Sequence, residues 1–269
     1  MAEELLIPET PTHIVTVPAA GIRYLTPIFT SWITEIGEYQ PGFKVKVYMP
    51  ANDTIDRRPV VIVYSGGGTL DIDATKSTCE ELVKLGYVVV AGQYKQTVGD
   101  FTTEEQKQAV VNTYNLINYI RENYEKYGVK KKKFFGIGTS AGALTLIQAG
   151  ITGNDTQNPY YTGYAVPNIK GCLLATASLS GAANPQYMDL IQTGGVQNNF
   201  YNGKLDPIIP YKQAEATFNK EIALGIPSQI KIYDNADHTL GEHDDIFYNP
   251  VYGIIPTFYN KLYQKAPQP

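Results

Sequence analysis

The sequence predicts an α/β fold in which a mostly parallel central sheet is covered by helices on both faces. Two observations lead to this prediction. Short apolar runs, such as residues 59–64 and 87–91, have the length and composition of buried strands. Segments with helical spacing, such as residues 76–85 and 103–127, alternate with these runs along the chain. Such alternation is typical of parallel sheets, whose functional groups gather at the carboxyl ends of the strands.

Length and composition favour one large domain. The 269 residues include 43% hydrophobic residues, enough for a substantial core over residues 13–269, whereas residues 1–12 are polar and predict a loose arm. A net charge of -4 provides no basic face for nucleic acid. No apolar stretch reaches the roughly 18 residues of a membrane span. Because the start lacks a signal-like core, we expect a soluble protein, either cytoplasmic or exported with its leader absent from this sequence.

The first strands differ in how clearly they are patterned. Residues 14–17 and 43–49 alternate as half-exposed strands do, and residues 59–64 are wholly apolar, as in a strand covered on both faces. Residues 24–39 are rich in aromatic side chains and fit neither the helical nor the strand period. The sheet is therefore expected to change from exposed to buried at residue 59.

A glycine turn follows the first buried strand, in the run Ser65-Gly66-Gly67-Gly68. Glycines let backbone N–H groups turn inward without obstruction by a Cβ atom, which suits an oxyanion-binding site, and Gly67 and Gly68 are the expected donors. A plain flexible loop is the alternative. A phosphate-binding loop is disfavoured because no Lys-Ser/Thr pair follows. Asp71 and Asp73 suit the first turn of the next helix better than a metal site.

A second turn, Gly138-Thr139-Ser140-Ala141-Gly142, joins a predicted strand at residues 133–137 to a predicted helix from residue 143. It fits the pattern Gly-x-Ser-x-Gly, in which a serine is held at a sharp strand-to-helix corner. Glycines on both sides relieve the crowding there. Ser140 is the predicted nucleophile, and the N–H of Ala141, at the start of the helix, is expected to face a developing oxyanion.

The second half of the chain continues the alternation. We predict strands at residues 171–177, 196–201 and 228–233, and helices at the segments 186–192, 211–224 and 257–264. Asn202 and Gly203 are expected to form a turn. Residues 152–168 have no clear period and are rich in tyrosine and turn formers, so they form either an insertion at the edge of a substrate cleft or a plain surface loop.

A serine nucleophile needs an imidazole to accept its proton and a carboxylate to orient that imidazole. Asp206 follows a predicted strand, and His238 lies in the loop after the last strand, so the two can meet at one edge of the sheet. His243 is the rival base, but it lies farther from the strand end. Asp234 and Asp237 are too close in sequence to His238 to approach its ring from behind and better suit the turn.

Cysteine usage and histidine spacing give no sign of a metal or a cofactor. Cys79 and Cys172 lack metal-ligand spacing, and two separate thiols are favoured over a bridge. The segment Gly241-Glu242-His243-Asp244-Asp245 lacks a spaced second histidine, so a solvated loop is favoured over a metal site. We therefore predict neither a metal nor a cofactor.

With these positions identified, residues 40–264 resemble the α/β-hydrolase family, and within it the esterase and lipase branch. The run from Tyr64 to Gly68 is similar to that branch's His-Gly-Gly-Gly motif, and the order Ser140, Asp206, His238 is the family order. The resemblance implies an α/β-hydrolase fold and the roles of nucleophile, orienting acid and general base. Ser65 in place of the motif's histidine, and Thr139 where many relatives have aspartate, set the chain apart within the family.

The expected function is hydrolysis of carboxylic esters through an acyl-enzyme. The partner is a small-molecule or polymer-linked ester, and acetyl, feruloyl, other aromatic or carbohydrate-linked esters and polyesters all suit the tyrosine-rich insertion. A peptidase of the same fold and a non-catalytic binding protein are the alternatives. The sequence indicates no oligomeric state.

Overall fold

The computed structural model describes residues 27–55, 57–67, 70–96, 103–153, 159–241 and 245–263. These residues form an eight-stranded sheet in the order β1-β2-β4-β3-β5-β6-β7-β8. The strands are β1 (Trp32–Gln40), β2 (Phe43–Pro50), β3 (Arg58–Tyr64), β4 (Val88–Gly92), β5 (Val129–Thr139), β6 (Leu173–Leu179), β7 (Gln197–Gly203) and β8 (Gln229–Tyr233). Strands β1 and β2 pair antiparallel, and β2 joins β4 antiparallel, whereas every pairing from β4 through β8 is parallel. The mostly parallel sheet predicted from the sequence is confirmed.

The helices are α1 (Lys76–Lys84), α2 (Thr103–Glu122), α3 (Ala141–Thr152), α4 (Tyr211–Ala223), α5 (Asp245–Tyr248) and α6 (Ile254–Tyr263). Two 3₁₀ helices lie at Pro159–Tyr161 and Pro185–Leu190. Helices pack on both faces of the sheet because alternate residues of the central strands point to opposite sides. In β3, Val61 lies in a buried cluster with Phe258 of α6, whereas Val60 lies in a second cluster with Ile117 of α2.

The strand order places the candidate site. After β3 the chain forms β4 on one side, and it then returns to form β5 on the other side of β3. Such a reversal opens a crevice at the carboxyl ends of the neighbouring strands. Because Tyr64 pairs with Gly138 at those ends, the glycine turn after β3 and the serine turn after β5 lie side by side.

Several predicted boundaries shift in the structure. Residues 32–39 of the aromatic stretch lie in β1 (Trp32–Gln40), whose burial pattern is weak because it is an edge strand in which only Tyr39 is buried. The predicted turn at Asn202 and Gly203 is wrong, because both residues continue β7. The predicted short helix at residues 186–192 is a 3₁₀ helix, and the side chain of Asn184 caps it by accepting a hydrogen bond from the Gln186 N–H at 3.2 Å.

Some expectations concern residues outside those that the structure describes. These are the N-terminal arm, the strand expected at 14–17, residues 154–158 of the tyrosine-rich insertion, Gly68 and His243. Among the described part of the insertion, Tyr160 and Tyr161 are buried. The Tyr161 hydroxyl lies 2.6 Å from that of Tyr114 in α2, and the Tyr160 ring packs edge-on against Tyr187 at 4.7 Å. These two tyrosines belong to the core, and a cleft-lining role for the insertion stays a prediction.

Both cysteines are buried free thiols, as favoured from the sequence. Within the described ranges, no helix combines the length and apolar character needed to cross a membrane.

Candidate active site

The turn after β5 holds Ser140 in a backbone conformation that few side chains adopt. Its φ is +52°, in the region favoured by glycine. The N–H of Ser140 donates to the carbonyl of Leu179 at 2.8 Å, and its own carbonyl accepts from the N–H of Leu144 at 3.0 Å. The neighbouring strand and the first turn of α3 therefore hold the strained residue in place, as is common where a side chain must be aimed.

The two flanking glycines are required by close approach. A Cβ atom on Gly138 would lie 2.5 Å from the backbone nitrogen of Ala143. A Cβ atom on Gly142 would lie 2.5 Å from the carbonyl oxygen of Ser65. Neither contact can be relieved by moving a flexible side chain, because both involve backbone atoms. The spacing Gly-x-Ser-x-Gly thus has a steric cause in this chain.

Ser140, His238 and Asp206 form a continuous hydrogen-bonded relay. The Ser140 Oγ lies 2.9 Å from His238 Nε2, and His238 Nδ1 lies 2.7 Å from Asp206 Oδ2. With the proton on Nδ1, the imidazole donates to the carboxylate and its Nε2 is free to accept from the serine hydroxyl. The sequence prediction selected these three residues, and the structure brings them together.

The acid is buried and its oxygens are occupied by donors. The Asp206 side chain has no exposed surface, whereas that of His238 is 18% exposed. Asp206 Oδ1 accepts hydrogen bonds from the backbone N–H groups of Ile208 at 2.8 Å and Ile209 at 2.9 Å. These bonds leave Oδ2 for the imidazole and fix the direction of the carboxyl group. Sequence reasoning missed the two N–H donors, although an aspartate that begins a turn is their usual signal.

The loops that carry the acid and the histidine are joined through their backbones. The N–H of Lys204 donates to the carbonyl of Tyr233 at 2.9 Å, and the N–H of Leu205 donates to that of Ala236 at 3.0 Å. A Cβ atom on Gly203 would lie 2.3 Å from the carbonyl oxygen of Asp237. Glycine at position 203 therefore permits this contact, which explains why a residue predicted to form a turn is found at the end of a strand.

The rejected aspartates lie elsewhere in the histidine loop. Asp234 forms an exposed ion pair with Lys204, with Oδ1 and Nζ 2.8 Å apart. Asp237 Oδ1 accepts from the Thr239 hydroxyl at 2.7 Å and the Thr239 N–H at 2.8 Å, and these bonds hold the pKa of Asp237 below its usual value. Both residues serve the turn, as the sequence indicated.

The glycine turn after β3 passes beside Ser140. A Cβ atom on Gly66 would lie 3.5 Å from the Cβ of Ser140, and one on Gly67 would lie 3.5 Å from the Cβ of Ala141. The Tyr94 hydroxyl donates to the Ser65 carbonyl at 2.7 Å and anchors the start of this turn. Ala141 is the first residue of α3, so its N–H has no acceptor within the helix. Gly67 and Ala141, two of the three predicted oxyanion donors, thus lie on adjoining segments.

No metal site competes for this location in the part of the chain that the structure describes. There, no group of three or more histidine, cysteine, aspartate or glutamate side chains is arranged to hold a metal ion. Separately, the hydrogen-bonded hydroxyl, imidazole and carboxylate can together move a proton away from the serine oxygen.

Comparison with known proteins is consistent with this geometry. The model of the BD-FAE family, an esterase-type α/β-hydrolase family, matches residues 45–171, which include the glycine turn and Ser140. No curated protein matches the chain in sequence.

Solved structures of esterase 2 from Thermogutta terrifontis share the fold. Its form phosphorylated by paraoxon is 19% identical with a TM-score of 0.68, covering 87% of this chain and 96% of the other. The native form is 18% identical with a TM-score of 0.66, covering 87% and 94%. The propionate-bound form is 19% identical with a TM-score of 0.65, covering 88% and 97%. The chain is therefore similar to esterase-type α/β-hydrolases, in the segment that the family model matches and in its fold.

Proposed function

We propose that this protein hydrolyses carboxylic esters through an acyl-enzyme intermediate. The observation that carries the proposal is the relay in which Ser140 Oγ lies 2.9 Å from His238 Nε2 while Asp206 Oδ2 lies 2.7 Å from Nδ1. In this proposal Ser140 is the nucleophile, His238 is the general base and then the general acid, and Asp206 orients the imidazole and stabilises its charged form.

Acylation begins when Ser140 Oγ attacks the ester carbonyl carbon and His238 Nε2 takes the hydroxyl proton. The tetrahedral intermediate collapses with cleavage of the bond between carbon and the alcohol oxygen, and His238 gives its proton to that oxygen. The alcohol then leaves. Water attacks the acyl-enzyme, His238 takes a proton from the water, and the acid leaves as Ser140 regains its hydrogen.

The negative oxygen of each intermediate needs fixed donors. We assign these to the N–H groups of Ala141, Gly67 and Gly68. Support comes from the position of Ala141 at the positive end of α3 and from the nearness of Gly67, on which a Cβ atom would lie 3.5 Å from the Cβ of Ala141. A single donor in such a site typically contributes about 10² to 10³ in kcat.

For the substrate, we propose an acetyl, feruloyl or other aromatic or carbohydrate-linked ester, or a polyester. The esterase-type family model supports an ester substrate. Because structures of the similarly folded Thermogutta esterase hold propionate or butyrate, short acyl groups are the first to test. The buried Tyr160 and Tyr161 do not add to this choice, since they pack in the core.

The test is hydrolysis of p-nitrophenyl acetate, butyrate and octanoate by wild type and by the variants Ser140→Ala, His238→Ala and His243→Ala. We expect the first two variants to lose at least about 10³-fold in kcat/KM, because they remove the nucleophile and the base. His243→Ala is the matched histidine control and should retain activity. Paraoxon should also add to Ser140 in wild type, as detected by peptide mass spectrometry.

The proposal has two clear points of failure. If wild type hydrolyses none of the esters, or if Ser140→Ala keeps its rate, ester hydrolysis by this site is refuted. Aminopeptidase substrates and ligand binding would then test the peptidase and binding-protein alternatives.

A further inference from the structure

The loop between β7 and α4, residues 204–210, presents an apolar surface beside the acid. Its two buried residues are Asp206 and Ile209. Its exposed residues are Lys204, Leu205, Pro207, Ile208 and Pro210. Apolar side chains thus form most of what this loop shows to solvent, and we call Leu205, Pro207, Ile208 and Pro210 the acid-loop patch.

Two members of the patch are unusually exposed for their type. Leu205 is 63% exposed and Ile208 is 65% exposed. A single exposed aliphatic residue needs no explanation, but neighbouring apolar residues beside a functional group indicate a surface that another molecule covers. Because both side chains face solvent, polar residues would fit there without loss of internal packing.

The patch is fixed relative to the proposed catalytic groups. The N–H of Ile208 donates to Asp206 Oδ1 at 2.8 Å, and Asp206 Oδ2 lies 2.7 Å from His238 Nδ1. On the other side of the acid, the N–H of Leu205 donates to the carbonyl of Ala236 in the histidine loop at 3.0 Å. The backbone on both sides of Asp206 is therefore hydrogen-bonded to Asp206 or to the histidine loop, and these bonds fix the position of the patch relative to Asp206 and His238.

The one charged side chain that this loop exposes already has an ion-pair partner. Lys204 is its one charged exposed residue, and its Nζ pairs with Asp234 at 2.8 Å. The acid-loop patch itself offers apolar contact and no charged recognition group. A ligand held here would therefore present an alkyl or aryl group.

We infer that the acid-loop patch binds the apolar alkyl or aryl group of the ester whose carbonyl is attacked by Ser140. This inference rests on the proposed function and deepens it, because it names the loop that selects among esters. Leu205 and Ile208 are its specificity-determining residues. Esters with large apolar groups are then preferred over short ones, since such groups gain free energy when contact with the patch removes them from water.

The test compares selectivity ratios for Leu205→Ser, Ile208→Ser and the control Ile222→Ser. Ile222 is 46% exposed but lies in the last turn of α4, about 16 Å along that helix from its start. An acyl series compares p-nitrophenyl octanoate with p-nitrophenyl acetate, and an alcohol series compares 2-naphthyl acetate with ethyl acetate. Each ratio is formed from kcat/KM values, so a change in the amount of active protein cancels.

We expect at least one ratio to fall about tenfold in Leu205→Ser and Ile208→Ser, and neither ratio to change in Ile222→Ser. A fall in the acyl series assigns the patch to the acid part of the ester, and a fall in the alcohol series assigns it to the leaving group. Ile208→Leu, which keeps an apolar side chain at this position, should retain most of the wild-type selectivity ratio. Far-UV circular dichroism checks that each variant is folded.

Failure of this inference is distinct from failure of the proposed function. If wild type hydrolyses esters through Ser140 but both ratios change less than twofold in the two serine variants, the patch does not select substrates and the proposed function stands. If wild type hydrolyses no ester, the proposed function fails and this inference fails with it.

Discussion

Two buried carboxyl groups at opposite ends of β7 differ in what surrounds them. Asp206, just beyond the carboxyl end of the strand, receives two backbone N–H donors and the imidazole of His238. Glu221, in the last turn of α4, receives a short hydrogen bond from the amide of Asn198, near the amino end of the strand, at 2.5 Å. Its Oε2 has no hydrogen-bond partner among the described residues. Asp206 and Glu221 are thus both buried, but they differ in the hydrogen-bond donors that surround them.

The difference shows what burial does to a carboxyl group that lacks a full set of hydrogen-bond donors. Burial raises the pKa of Glu221 to about 7, and the hydrogen bonds from Ser228 and Asn198 lower it only in part. The position of Glu221 at the negative end of a helix also disfavours a charge. Asp206 instead faces an imidazole whose positive form it can stabilise, which is the arrangement that the proposed mechanism requires.

The largest expected effect comes from changing Asp206, the carboxyl group that accepts several hydrogen bonds. Asp206→Asn keeps the size of the side chain but removes the charge that stabilises the imidazolium and its correct tautomer. We expect kcat/KM for p-nitrophenyl acetate to fall about 10³ to 10⁴-fold. Glu221→Gln is the matched control and should retain activity within about threefold. A loss of less than tenfold in Asp206→Asn would contradict the role assigned to the acid.

The next effect concerns stability and its dependence on pH. The folded pKa of Glu221 is about 7, above its usual value of 4.5, so folding favours the protonated form. Its contribution to stability is fully present below about pH 4.5, declines as pH rises and is lost above about pH 7. Glu221→Gln, which is always neutral, should therefore unfold with a free energy about 2–4 kcal/mol higher than wild type at pH 8.

At pH 5, wild type and Glu221→Gln should differ by less than about 1 kcal/mol, because Glu221 is then neutral in the folded protein and pH 5 lies only slightly above its unfolded pKa. Urea unfolding at the two pH values measures the difference. An equal effect of the substitution at both values would mean that Glu221 does not titrate as its surroundings indicate.

The smallest effect is expected from an exposed carboxylate near the same loops. Asp234 is 76% exposed, and its pair with Lys204 is an ordinary surface ion pair, which contributes little. Asp234→Asn should change kcat/KM by less than twofold, measured with p-nitrophenyl acetate at 0.15 M salt. A tenfold loss would show that this pair holds the acid and histidine loops together, a task that we assign to the backbone hydrogen bonds of Lys204 and Leu205.

Much of the fold could be predicted because its signals are local. The apolar run at β3 and the helical spacing of α1 and α3 each depend on neighbours within one element. Strand β1 was not predicted because an edge strand buries few side chains and so carries little alternation. Gly203 was misread because its contact is with the carbonyl of Asp237, more than thirty positions away, and not with its sequence neighbours.

By itself, the sequence determined the kinds of group available and their order along the chain. It placed a serine between glycines, an aspartate after one strand and a histidine after the next, because steric demands and hydrophobic period act over a few residues. Only the tertiary structure decided which atoms meet. Ser140 and His238 are 98 positions apart, and their 2.9 Å contact exists because parallel strands bring their carboxyl ends to one edge. The exposure of the acid-loop patch and the missing donor at Glu221 were decided in the same way, because burial is a property of the packed chain.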